Sequence, residues 1–199
     1  MKTVILGALI ALCFGFGQIQ NNKSTESDFD CVLTTSKQVY SLGEVPEFQV
    51  SIVNNSGEDV YLIGSLDGSE VQWRMPFCYF SLEKPQVDSV RQIMRCGMTN
   101  NLRMKDFVKI EAGQFFNPYG GVDDFSFSHS FEMQRKEHFR NTGTYKITFH
   151  YSTNSEKIED YLGIGFREEM ENLGKMKRLF KQVPKIELQS NTVEIDIVE

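Results

Sequence analysis

Two segments constrain this chain more than any others. From Gly143 to Tyr151, the residues Tyr145, Ile147, Phe149 and Tyr151 fall on one side of an extended strand, with Lys146, Thr148 and His150 on the other. From Ser190 to Val198, Val193, Ile195 and Ile197 alternate in the same way with Thr192, Glu194 and Asp196. A strict period of two in β-branched and aromatic residues belongs to half-buried antiparallel strands. The chain must therefore bury one face of a sheet, and an all-β architecture is the expectation.

The N-terminal third continues the pattern. Phe29 to Thr35 reads as a first strand. After the turn Ser41 to Glu44, the segment Val45 to Val53 places Phe48, Val50 and Ile52 inward and Glu47, Gln49 and Ser51 outward. Asn54 to Gly57 has the composition of a hairpin turn, because Asn and Gly tolerate positive φ, and Asp59 to Gly64 is the expected return strand. Further on, Val71 to Trp73, Phe77 to Leu82, Asp106 to Glu111 and Phe125 to Phe131 read as strands of a less regular middle region. Gln86 to Met98 fits either strand or loop.

The two opening strands are separated by Glu156 to Gln189, far more than the two to five residues of a hairpin loop. Within this insertion, Phe166, Met170, Leu173, Met176, Phe180 and Val183 recur at helical spacing. Glu168, Glu169 and Glu171 lie at the front, and Lys175, Lys177, Arg178 and Lys181 at the back, as the helix dipole favours. Two readings of the apolar stripe stand: it covers the rest of the fold, or it carries a partner interface.

Residues 1–17 have the form of a signal peptide. A short basic start precedes an uncharged apolar run from Val4 to Phe14, and small residues precede Gln18. The run is shorter than the roughly 20 residues a membrane span takes, and no later stretch approaches that length. Residues 18–28 read as a flexible tether and 29–199 as one domain with the helical insertion 156–189. The expected location is exported: periplasmic, cell-surface or extracellular. Lipid anchoring at Cys13 is a rival, opposed by the bulky Leu12 before it.

Removing the leader takes away Lys2 alone among the charged residues and leaves a net charge of −7. That balance opposes nucleic acid and anionic membrane surfaces as partners. Cys31, Cys78 and Cys96 remain, an odd number. Cys78 and Cys96 are the candidate disulfide, worth roughly 3 kcal/mol for a loop of that size, with Cys31 a buried thiol. Asn22 and Asn54 begin glycosylation sequons.

Taken in order, Tyr40 to Glu44, the alternating strand after it, Asn54 at a turn, Gly143-Thr144-Tyr145 and the closing Ser190 to Val193 resemble exported bacterial immunoglobulin-like domains. The Asn turn and the Gly-Thr-Tyr piece are also similar to the intracellular proteinase inhibitor family. The resemblance covers residues 29–64 and 143–198. It implies an immunoglobulin-like β-sandwich with Tyr145 as a structural corner, and it carries over no catalytic or binding residue.

No motif for catalysis, metal or cofactor emerges. His129, His138 and His150 lack the close pair a zinc site uses, and Asp67 and Asp123-Asp124 lack the alternation of a calcium loop. A serine nucleophile elbow and a glycine-rich phosphate loop are both missing from the sequence. His150 is expected on a solvent-facing strand surface. Sixteen Phe and seven Tyr fit an aromatic core. A second reading makes Phe115, Phe116, Tyr119, Phe125 and Phe127 an exposed aromatic surface near a Gly-rich loop, and Phe166, Met170, Leu173 and Phe180 of the insertion are further candidates for an interaction surface. The functional expectation is a non-catalytic module recognising a protein or glycan. The alternatives are an inhibitor presenting Ser65–Arg74 or Pro118–Asp124, and a hydrolase assembled from distant residues.

Overall fold

The structure, a computed structural model, describes residues 28–85, 91–92, 100–120, 136–163 and 172–199. It is mostly β-sheet with one α-helix among the described residues. Strands β1 (Phe29–Thr35), β3 (Phe48–Asn54) and β8 (Phe115–Phe116) form one sheet in the order β1-β3-β8. A second sheet runs β2 (Val39–Ser41), β11 (Val193–Val198), β9 (Gly143–Ser152), β5 (Phe77–Glu83) and β6 (Arg91–Gln92), with β10 (Glu187–Gln189) also on β9. Strands β4 (Val60–Ile63) and β7 (Phe107–Ile110) make a separate antiparallel pair. No helix among the described residues is long and apolar enough to cross a membrane.

The alternation read from the sequence is the burial pattern of β9. Tyr145, Ile147, Phe149 and Tyr151 are all buried, and they share one core with Leu33, Phe48, Val50 and Ile52 of the facing sheet. Rings meet across the layers: Phe48 lies 6.5 Å from Phe80, and Phe116 meets Tyr151 edge-on at 6.1 Å. The chain changes sheets between β1 and β2. There the Tyr40 phenol, buried beneath the crossing, bonds the hydroxyls of Thr35 at 2.6 Å and Ser36 at 3.1 Å. Strand β2 then runs parallel to β11.

The last strand starts earlier than its sequence suggests. Gln189 pairs with His150 and Val193 with Ile147, so three residues face two across a β-bulge. Residues 187–189, expected at the end of the insertion, are therefore strand. The Ser190 hydroxyl accepts the Phe149 N–H at 2.9 Å and so patches the interrupted ladder. The Asn191 amide accepts the Leu33 N–H at 2.9 Å and donates to the Leu33 carbonyl at 3.0 Å, which ties the edge of β1 to the other sheet.

The hairpin expected at Asn54 does not pair. Strand β4 joins β7 instead of β3. Asn54 is 1 % exposed, and its amide donates to the carbonyls of Glu58 at 2.7 Å and Ile110 at 3.2 Å. An Asn side chain bonded to both the 56–58 turn and the end of β7 makes a corner rather than a turn back. The same burial removes Asn54 as a glycosylation site.

A second core lies beside the first. Ile63, Leu66, Met75, Leu102, Phe107, Ile158, Tyr161 and Leu162 pack with Met176, Phe180 and Val183 of the insertion. The helix α1 spans Leu173–Phe180; the part of the apolar stripe at Phe166 and Met170 lies outside the described residues. Of the described stripe residues, Met176, Phe180 and Val183 are buried in this core and Leu173 packs half-buried against it. Lys185 closes this end, its ammonium 3.7 Å from the Phe180 ring centroid.

Tyr151 joins the two cores. Its hydroxyl donates to the Ile63 carbonyl at 2.9 Å and accepts the Ile63 N–H at 3.2 Å. Tyr145 makes the same two bonds to Asn141 at the other end of β9, at 2.9 and 3.2 Å, but Asn141 is exposed. Tyr151→Phe is therefore expected to cost about 1–3 kcal/mol, because it strands a buried N–H and C=O. Tyr145→Phe should cost less, since water replaces the lost partner; urea denaturation of both variants checks the order. Gly174 is exposed, and a Cβ there meets nothing within 4 Å. Gly174→Ala should stabilise by about 0.5–1 kcal/mol in the same assay.

Candidate interaction loop

The segment between β4 and β5 is not the strand Val71–Trp73 expected from its apolar residues. It is a compact loop. The Ser69 N–H bonds the Leu66 carbonyl at 2.9 Å, and the Trp73 N–H bonds the Gly68 carbonyl at 3.0 Å. With those groups turned inward, no edge remains for a neighbouring strand. Gly68 takes φ 87° and Gln72 takes φ 57°, the left-handed region that a non-glycine residue occupies at a cost.

Both roots of the loop are anchored. Gly64 N–H bonds the Asp106 carbonyl at 3.0 Å, Ser65 N–H bonds the Pro118 carbonyl at 2.6 Å, and Met75 N–H bonds the Asp160 carbonyl at 2.9 Å. Between the roots, Ser69, Glu70 and Arg74 point into the protein and are buried. The Arg74 guanidinium donates to the Asn100 carbonyl. Burial pushes its pKa down to about 10, against the favourable charges of Asp106 and Asp67. Its Nε and Nη2 find no acceptor among the described residues, so the Asn100 carbonyl and the field of the two carboxylates together hold this cation. Asp106 is itself fixed by Arg103, through the Arg103 N–H at 2.6 Å and the guanidinium at 3.1 Å. Gly163 packs directly on this cluster; a Cβ there would collide with Arg74 Nη1 and the Asn100 carbonyl.

The result is a braced tip. Trp73 is 58 % exposed while its chain neighbour Arg74 is 5 % exposed. An exposed indole on a loop held at both roots loses little conformational entropy on contact, which suits a binding anchor. Sequence reading placed Trp73 in a strand, and only the Gly68-Ser69 turn residues signalled otherwise.

The structure places the described residues of the expected interaction surface at different depths. Phe115 is exposed, but Phe116 and Phe180 are buried, and Tyr119 and Leu173 are half-buried against the two cores. Tyr119 donates to the Cys78 carbonyl at 3.1 Å and stacks on Phe80, which explains why an apolar loop residue turns inward. Phe125, Phe127, Phe166 and Met170 lie outside the described residues. Cys31 and Cys78 are free thiols; the expected partner Cys96 lies outside the described residues. Burial pushes the Cys31 thiol up to about 12 and the Cys78 thiol well above its ordinary value, so neither is a thiolate nucleophile at neutral pH.

A serine and a histidine do meet. Ser81 Oγ lies 3.0 Å from His150 Nε2, and His150 stacks on Tyr79 with ring centroids 4.6 Å apart. His150 is thus half-buried rather than solvent-facing. The pair stands on the outer face of the sheet, and Ser81 has β6 on one side and β9 on the other. Ser81 pairs with Gln92 of β6 and with Thr148 of β9, so its backbone lies within both ladders. The contact orders the sheet surface.

Desolvation lowers the His150 pKa, and the Glu187 charge opposes it only in part. The folded value therefore lies below the unfolded value of about 6.5. The stability contributed by neutral His150 is full above that pH and fades as pH falls from there through the folded pKa. Proton NMR should show His150 titrating with a midpoint below that of a free histidine, and His150→Gln should flatten the stability profile over this acid range.

No family model, curated protein or solved structure matches this chain.

Proposed function

We propose that the protein is an exported, immunoglobulin-like β-sandwich acting as a non-catalytic binding module, with the Val71–Trp73 tip as its contact. The fold reading is supported by the switch of the chain from one sheet to the other between β1 and β2, the parallel pairing of β2 with β11, and Tyr145 bonding its own chain four residues upstream. The exported location rests on the form of residues 1–17 alone.

The observation that carries the functional reading is the exposed Trp73 on a loop braced by buried Ser69, Glu70 and Arg74. The inhibitor alternative fits less well at this loop. A substrate-like inhibitory segment is extended, whereas Gln72 is left-handed and the tip is folded on itself. The contact is a single side chain on a turn.

A glycan array and pull-downs from the native extracellular milieu, run with wild type and Trp73→Ala, test this. Any ligand retained by the wild type should lose about thirtyfold or more in affinity, the mark of a tryptophan hot spot of at least 2 kcal/mol. Thermal stability should be unchanged, because the removed ring is exposed. Full binding by Trp73→Ala would overturn the assignment.

A further inference from the structure

Helix α1 has two opposite faces. Met176 and Phe180, with Val183 just beyond the helix, are buried in the second core. Lys175, Lys177, Arg178 and Lys181 are all exposed, four cations within seven residues of a chain whose net charge is −6. At 3.6 residues per turn they spread over an arc of about 160° on the side away from the buried stripe, and along about 9 Å of the helix axis. Gly174 falls near the middle of that arc, where a Cβ would meet nothing within 4 Å. The cations therefore border an open strip of helix surface.

The fold does not account for these charges. None of the four forms an ion pair with a described residue; the cations that do are Lys37, Arg103, Lys109 and Lys146. Lys177 and Lys181 are four apart, and Arg178 lies three from both Lys175 and Lys181, spacings at which like charges repel. The helix dipole favours Lys177 and Arg178 in the last turn. It opposes Lys175 in the first turn, which holds no acidic residue to offset that charge. A local rule broken without a structural gain is expected at a functional position.

What the face lacks selects its partner. No large hydrophobic residue from Leu173 to Ile186 is exposed. Without one, the helix has nothing to insert into a lipid surface, to stack on nucleic-acid bases, or to form the apolar centre of an interface with a folded protein. A hydrated polymer with repeated anionic groups requires none of these. It requires only a cluster of unpaired cations.

We propose that the outer face of α1 docks an acidic polysaccharide, with Lys175, Lys177, Arg178 and Lys181 pairing its carboxylate or sulfate groups. This contact is separate from Trp73 and does not rest on the reading of that residue.

Surface plasmon resonance of the full mature chain over immobilised polygalacturonate and dextran sulfate, with neutral dextran as the blank, tests the proposal. Wild type should bind at least one acidic polymer, and its affinity should fall about tenfold or more between about 50 and 200 mM salt. The double variant Lys177→Gln, Arg178→Gln should bind about tenfold or more weakly and show a salt slope smaller by about two. Trp73→Ala and Arg140→Gln, which removes an exposed cation outside the helix, should bind as wild type does. Lys175→Glu separates binding from folding: it should raise the melting temperature, because the dipole favours an acid there, while it weakens binding. Absence of wild-type binding to either acidic polymer, full binding by the double variant, or equal loss on Arg140→Gln or Trp73→Ala overturns the proposal. Tighter binding to duplex DNA or to mixed phosphatidylglycerol–phosphatidylcholine vesicles than to the polysaccharides overturns it as well.

Discussion

Strand β9 and its two terminal tyrosines hold this molecule together. The buried face of the strand supplies the middle of the main core, and Tyr151 fills it with a ring while its hydroxyl grips both polar groups of Ile63. Ile63 belongs to the second core. One side chain therefore lets two apolar clusters share a boundary without leaving a backbone amide unpaired there. Burial drives the phenol pKa well above its ordinary value, so the hydroxyl keeps the proton it donates.

The second core explains the helical insertion. A sheet pair as small as β4–β7 cannot bury both of its faces, and Met176 and Phe180 of α1 supply the missing apolar surface. The loop carrying Trp73 grows out of this region, and its rigidity has a definite origin. Arg74 is held inside by a carbonyl and by the charges of Asp106 and Asp67, and a buried cation so placed cannot leave without losing that field. The side chain that faces water and the one that faces the interior are adjacent in sequence. The loop thus exposes an aromatic ring at little risk to its own shape.

Much of the fold was legible residue by residue. The period of two in β9 and β11 matched the buried faces, and Phe29–Thr35 and the core half of β3 matched as well. The misreadings share a cause. Asn54 looks like a hairpin residue, but its amide bonds chain segments more than fifty positions away. Ser190 and Asn191 look like a strand entry, yet they form a bulge whose side chains replace missing ladder bonds. Phe116 and Tyr119 look like part of an exposed aromatic loop, and each turns into the core to meet rings of the other sheet. In these three cases a polar or aromatic side chain was claimed by a partner that no local window contains.

By itself the sequence determined which segments alternate, which one is helical, and that the chain buries an aromatic-rich sheet face, because these depend on periods of two and 3.6 residues that are local. The tertiary structure alone decided that β4 leaves β3 for β7, that the helix closes a second core, and that Trp73 stands out while Arg74 is drawn in. Those outcomes depend on long-range hydrogen bonds and buried charge, whose energies exist only once distant segments exclude water together.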